Sequence, residues 1–334
     1  MKKTFLLLGL VILSSCGGAQ KSLENADPTK YSETITPNDL KEHLFIYASD
    51  EFEGRNTGEP GQKKAIDYLK SNYVKLGIPS PLGDSDYFQE IPESYFRGNI
   101  KSSENVVAFI KGSEKPEEIV VLSAHLDHVG KKDGKIYNGA DDDGSGTVAL
   151  LEMAQAFQKA VKDGYTPKRS ILFLHVTGEE IGLYGSRFYT ENPIFPLKNT
   201  VADLNVDMIG RIGEGKEGND NYVYLIGSDK LSTELHELSE MVNSKYVNLE
   251  LDYTYNDEND PNRFYYRSDH YNFAKNNIPI IFYFNGVHED YHQPTDTPDK
   301  INYDLLAKRT KLIFLTAWEV ANRDKRITVD KASK

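Results

Sequence analysis

The sequence predicts an α/β fold, with a mostly parallel (mixed) β-sheet flanked by helices on both faces. Three observations carry this expectation. Short apolar runs of strand length recur at 105–110, 118–124, 170–176, 200–206 and 279–284. Helix-length segments lie between them, notably 145–161, 231–246 and 303–321. The runs are close to continuously apolar, as expected of strands buried on both faces of a sheet.

The elements follow in chain order. The opening "MKKTFLLLGLVILSSC" has two lysines, an apolar run from Phe5 to Leu13 and small residues before Cys16. That run falls short of the ~20 apolar residues that span a bilayer, but it suits an export signal. "LSSC" resembles the lipobox of bacterial lipoproteins, in which the cysteine becomes the lipidated first residue. Residues 1–15 are therefore expected to be a lipoprotein signal peptide. The protein would be exported and lipid-anchored to the bacterial cell envelope through Cys16. Cys16 is the only cysteine, so no internal disulfide can form.

Residues 16–37 are polar and without periodicity and read as a flexible linker. A single folded domain is expected over 38–330. At its start, "GQKKAIDYLKSNYVKLG" carries Ala65, Ile66, Leu69, Tyr73 and Leu76 at helical spacing and stops at Gly77. Residues 79–104 are rich in Pro, Gly and Ser and read as loops with room for an edge strand. The net charge of −12 argues against nucleic acid, which calls for a basic footprint.

Each apolar run after the first ends on acidic or histidine residues. His125 and Asp127 follow the second run, Glu179 and Glu180 the third, Asp207 the fourth, and His288 and His292 the last. A further cluster, "NGADDDGSG", precedes a helix. In open α/β sheets ligands bind beyond the carboxyl ends of the strands, so these groups can converge on one crevice. Taken singly, each has a plain alternative as a polar loop, a helix cap or an acidic first turn. Together they offer oxygen and imidazole donors with no thiolate, a mixture that suits catalytic zinc, with manganese or cobalt as alternatives. Their number suits two ions better than one, because two ions need a shared carboxylate and terminal ligands for each.

In order and wording, "SAHLDHVG", "NGADDDGSG", "VTGEEIGLYGS", "NVDMIG" and "YHQPTDT" resemble the co-catalytic zinc aminopeptidases, a family that includes glutamate carboxypeptidases and glutaminyl cyclases. "DEFEGRNTGEPGQKKAIDYL" and "RSDHYNFAKNNIPIIFY" extend the likeness. The resemblance implies the zinc-exopeptidase (phosphorylase/hydrolase-like) three-layer sandwich and two Zn2+ ions per chain. It places His125 and Asp207 on one ion, Glu180 and His292 on the other, and Asp142 between them. Glu179 would be the general base, taking a proton from a metal-bridging water. Asp127 would support His125 by accepting its second ring N–H. The peptide between Asp142 and Asp143 is expected to be cis.

The implied activity is removal of N-terminal residues from peptides, with peptides as the partners. A glutaminyl cyclase is an alternative; that branch keeps one zinc, on positions matching Asp142, Glu180 and His292, and loses the first histidine ligand. A carboxypeptidase of the same family is another, less favoured because such chains usually carry extra domains. A peptide-binding lipoprotein without activity is the last, and it would tend to have lost ligands or the base. His128 and His288 are expected in supporting positions, and Asp269 and His270 around the pocket. Tyr283 or Tyr291 is the candidate donor to an oxyanion. His43, His175 and His236 are expected to be structural.

Overall fold

Eight strands form one sheet in the computed structural model, which describes residues 21–22, 26–83 and 85–331. We number them β1 (Phe88–Ile91), β2 (Ser103–Ile110), β3 (Lys115–His125), β4 (Arg169–Val176), β5 (Thr200–Val206), β6 (Tyr222–Ile226), β7 (Glu250–Asp252) and β8 (Ile280–Phe284). Their order across the sheet is β7-β6-β8-β5-β3-β4-β2-β1. The four central strands β8, β5, β3 and β4 run parallel. At the flanks β2 is antiparallel to β4, β1 to β2, and β6 to β8. The sheet is therefore mixed with a parallel centre.

The five apolar runs all form strands, the last beginning one residue before β8. β4, β5 and β8 are buried along their whole length, as parallel strands covered on both faces must be. One face packs against α1 (Pro28–Ser32), α2 (Pro37–Tyr47), α3 (Pro60–Leu76), α4 (Gly146–Lys162), α6 (Thr233–Val242) and α8 (Tyr303–Asn322). The other carries α5 (Tyr184–Glu191) and α7 (His270–Ala274). Successive strand residues divide between the layers: Val120 and Leu122 enter the first core, Val121 the second. As expected, α3 ends where Gly77 takes the left-handed conformation, φ +75°. β1 is the edge strand within the loop-rich stretch before β2.

Parts of the fold depart from the sequence reading, the three-residue β7 among them. β6 was not foreseen; it is a short run, "YVYLI", between polar loops. The expected linker over 16–37 also ends early. Asp27 caps α1 by accepting from the Thr29 N–H, and Thr36 caps α2 by accepting from that of Asp39. Between these caps Tyr31 stacks on Trp318 of α8, ring centroids 5.5 Å apart, and Ile35 is fully buried. Two buried anchors in a polar stretch create no periodic pattern, so their role emerges only from packing. Residues 1–15 and Cys16, the expected signal peptide and lipid site, lie outside the described residues. No helix among the described residues is long and apolar enough to cross a membrane.

Because Tyr31 is a packed aromatic in the core, Tyr31→Ala should lower the free energy of unfolding by ~3 kcal/mol. Urea denaturation checks this; a loss below ~0.5 kcal/mol, the size of an ordinary surface substitution, would show that the segment does not belong to the core.

Candidate metal centre

Parallel strands deliver their C-terminal ends to one edge of the sheet, and that edge carries the acidic and histidine residues. His125 is the last residue of β3 and pairs in register with Val176, the last of β4. Asp207 follows β5, whose Val206 pairs with Tyr283 of β8. Glu179 and Glu180 lie in the turn between β4 and α5, and His292 in the loop after β8.

Asp142 stands at the centre. The Nε2 of His125 lies 3.1 Å from Asp142 Oδ1 and 3.6 Å from Asp207 Oδ1. The Nε2 of His292 lies 3.0 Å from Asp142 Oδ2 and 3.1 Å from Glu180 Oε2. Ligand atoms of His125, Asp142 and Asp207 all fall within 4.8 Å of one another, and so do those of His128, Asp142 and Glu180. The five residues expected as ligands thus meet around one carboxylate, and His128 joins them.

Several of these approaches are at hydrogen-bond distance without forming well-aligned hydrogen bonds. His125 Nε2, His128 Nδ1, Asp142 Oδ2 and Glu180 Oε1 are buried and none has a hydrogen-bond partner among the described residues. Two donors each ~2.1 Å from a tetrahedral zinc are about 3.4 Å apart, which is the spacing seen here. Buried lone pairs converging without bonding one another fit a cation between them.

The charge balance says the same. Burial pushes the Asp142 carboxyl up, but the His125 and His292 imidazoles outweigh it and hold it well below the usual carboxylate range. Burial opposes a charge on His292 too, yet Asp142 and Glu180 lift it to about 10. The carboxylates demand positive charge, and without metal only imidazole protons supply it. Ligation needs neutral imidazoles, so binding a cation here releases protons.

The loop that presents Asp142 is fixed by its neighbours. Asp143 accepts from the backbone N–H groups of His125 (3.1 Å), Gly146 (2.8 Å) and Met208 (3.2 Å), tying β3, α4 and the end of β5 together. Asp141 accepts from the Gly210 N–H (2.6 Å) and contacts His288 Nε2 (3.0 Å). Of three consecutive aspartates, the middle one alone faces the other ligands. The peptide between Asp142 and Asp143 is cis. Gly139, at φ +55°, leaves no space for a side chain; a Cβ there would lie 2.3 Å from the Asp142 carbonyl oxygen and 2.4 Å from His128 Cγ.

Asp127 does not do what its spacing suggests. Its carboxylate is 3.8 Å from His125 Nδ1, whereas its backbone carbonyl lies 3.0 Å away and takes the ring contact. The carboxylate accepts instead from Thr57 Oγ1 (2.7 Å) and the Glu179 N–H (3.2 Å). Two residues beyond the ring, the chain turns so that the main chain reaches Nδ1 first. Asp127 therefore positions the Glu179 backbone.

Glu179 lines a small cleft of about 30 Å3 with Asp142 and Asp207, walled by Met208, Phe264, Phe282 and Phe284 and bordered by Tyr291 and Arg267. Burial pushes its carboxyl well above the usual range; His125 draws it down, and Glu180 and Asp207 push it further up. Tyr291 stacks on His292, centroids 4.0 Å apart, whereas Tyr283 is buried in the main core. Of these two tyrosines, Tyr291 is therefore the one that borders the cleft. His288 supports Asp141, as expected of it. His43, His175 and His236 pair with Tyr68, Tyr73 and Ser228. Asp269 is buried, and burial lifts its carboxyl to about 7. A larger cavity, about 930 Å3 and bordered by Tyr255, Arg263, Tyr265 and Tyr266, contains none of the ligand residues.

Two further residues were inside quoted motifs but not singled out. Arg55 is buried and donates to the carbonyls of Leu126 (3.0 Å), Asn138 (2.6 Å) and Gly139 (2.8 Å), clamping the end of β3 to the Asp142 loop. Asp296 accepts from the N–H groups of Asp141 (3.0 Å) and Asp142 (3.2 Å). A buried charge inside a motif is the only signal either could have given.

The profile of peptidase family M28 matches residues 105–317. A probable aminopeptidase of Saccharomyces cerevisiae, YDR415C, is 26% identical over 217 residues, covering 63% of this chain and 55% of its own. The structure of LapB from Legionella pneumophila superimposes with a TM-score of 0.71 at 22% identity, covering 91% of this chain and 77% of that one. A glutaminyl cyclase from Bacteroides thetaiotaomicron gives 0.65 at 16% identity over 85% and 98%. The chain spans about half the length of the first two curated relatives it matches. These structural likenesses establish the fold.

Asp296→Asn would weaken the carboxylate that holds the Asp142 loop in place. It should reduce affinity for zinc ~10–100-fold with little change in secondary structure. Competition with a chromogenic chelator, alongside circular dichroism, checks this; unchanged affinity would remove Asp296 from the support of the centre.

Proposed function

The chain belongs to peptidase family M28, and we propose that it is a two-zinc aminopeptidase removing N-terminal residues from peptides. One observation carries the reading: a single carboxylate, Asp142, lies within ligand spacing of both His125/Asp207 and Glu180/His292. A cyclase of the one-zinc type needs only the second set, yet the first is complete here. Bound in these two sets, zinc would polarise the scissile carbonyl and lower the pKa of water.

The remaining work falls to the chain's own side chains. Glu179 borders the cleft beside Asp142 and Asp207. It would accept a proton from the attacking water and pass it to the leaving amine. Its raised pKa suits a carboxyl that must hold that proton between the two transfers. Asp127 fixes the Glu179 backbone by accepting its N–H. The Tyr291 hydroxyl, which burial keeps protonated, would donate to the oxygen on which negative charge develops. The carboxylates along the cleft favour a free α-ammonium group, and the Met208 and Phe walls favour an apolar first residue.

Arg267 supports a second reading. It is the one Lys or Arg bordering the cleft, and a carboxypeptidase would need such a cation for a terminal carboxylate. Release of amino acid from unblocked and N-acetylated peptides, with and without chelator, separates the readings. The aminopeptidase cleaves only unblocked peptides and stops when metal is removed. Cleavage of blocked peptides from the C-terminus would establish the second reading instead. Glu179→Gln should keep its metal and lose ~10²–10⁴-fold in kcat; full activity would exclude it as the base.

We further propose that the enzyme is exported and held to the cell envelope by a lipid on Cys16. The lysines, apolar run and small residues before Cys16 support this. Cys16→Ser should move the protein from the membrane fraction to the soluble fraction, and unchanged partitioning would refute lipidation there.

A further inference from the structure

His128 is the residue that the two ligand sets leave without an assignment. Its side chain is fully buried, and neither ring nitrogen has a hydrogen-bond partner among the described residues. The other buried histidines off the metal ligand sets differ. His175 bonds the Tyr73 hydroxyl at 2.7 Å, and His270 contacts the Tyr265 carbonyl at 2.8 Å. A histidine kept only for packing would be expected to find such a partner.

Its Nδ1 instead points at the ligand carboxylates. It lies 2.7 Å from Glu180 Oε1 and 3.7 Å from Asp142 Oδ2. The Glu180 contact is short, yet both Nδ1 and Oε1 are without a well-formed hydrogen bond among the described residues. His125 Nε2, an expected ligand, shows the same combination beside Asp142: close approach, full burial and no hydrogen bond. Glu180 turns one oxygen toward His128 and the other toward His292, whose ring centroid stands 5.7 Å from that of His128.

The position is built into the backbone. His128 follows the end of β3 by three residues, and its N–H donates to the Arg55 carbonyl at 3.4 Å. Gly139 abuts the imidazole so closely that a Cβ there would meet Cγ at 2.4 Å and Cδ2 at 2.5 Å. The ring is thus confined between the Asp142 loop and Glu180.

We infer that His128 Nδ1 is a protein ligand of the cation held by Glu180, completing a set of Asp142, Glu180, His292 and His128. The inference rests on the two-metal reading above and deepens it. The two positions are then unequal. One offers three protein residues, His125, Asp142 and Asp207; the other offers four. The Glu180 position should keep its ion longer during chelation, and the His125 position should exchange first.

The full-length protein loaded with 113Cd and labelled with 15N-histidine tests this directly. Three imidazole nitrogens should couple to cadmium, two of Nε2 type and one of Nδ1 type. The Nδ1 coupling should vanish in His128→Ala. Zinc competition should show that His128→Ala weakens the tighter-held ion by at least tenfold and changes the other by less than about twofold. If wild type binds fewer than two ions, the two-metal reading fails and this inference with it. If wild type binds two ions but only two imidazoles couple, or His128→Ala holds both as before, the inference alone is overturned. The coupling count needs no variant, so it decides the matter even if His128→Ala does not fold.

Discussion

The site depends on how the molecule settles the charge of its buried carboxylates. Burying a carboxylate without compensation is too costly for it to stay ionised. Here the compensation comes in two forms. Asp143 and Asp296 accept several backbone N–H groups, and Asp127 accepts a hydroxyl and an N–H. Asp142 and Glu180 receive no backbone N–H among the described residues and face imidazoles instead. The first group is satisfied by the protein and holds the scaffold still. The second is left to be satisfied by a cation.

The fold makes this division possible. Residues separated by 167 positions, from His125 to His292, need a common edge, and four adjacent parallel strands provide one. Each strand end enters the loop that carries its ligand while still held in register by its neighbours. The support then spreads outward. Arg55 clamps β3 to the Asp142 loop, Asp143 joins that loop to β5, and Asp296 braces it from beyond β8. A centre tied at several independent points keeps its donors in place before any ion arrives, which is the requirement for tight, selective binding.

Much of this was legible in the sequence because buried parallel strands are continuously apolar and end abruptly on polar residues. The runs at 170–176 and 200–206 show both features, and so the residues after them announce the site. What was not legible has physical reasons. Tyr31 and Ile35 dock a polar segment with two contacts, too few to make a pattern. β6 is only five residues long and takes its direction from its partner. Asp127 lies two residues from His125, but spacing cannot tell whether the carboxylate or the carbonyl will reach the ring; the carbonyl does. The direction of the His128 ring is hidden for the same reason, since spacing alone cannot show that its Nδ1 faces Glu180.

The charge at the first position also bears on which reaction the centre can carry out. Burial is the main cause that raises the proton affinity of Glu179; His125 lowers it, and Glu180, Asp207 and Asp269 raise it further. Little positive charge near His125 leaves Glu179 holding its proton more tightly and makes it a poorer proton acceptor. Greater positive charge there shifts it toward the anion while the surrounding carboxylates keep it able to take a proton back. A base that must accept from water and then donate to an amine needs that intermediate affinity. In the function proposed above, the His125/Asp207 set would therefore matter beyond holding an ion, because charge there would tune the proton affinity of Glu179. A centre filled only at Glu180 would leave that glutamate better suited to donating a proton than to removing one.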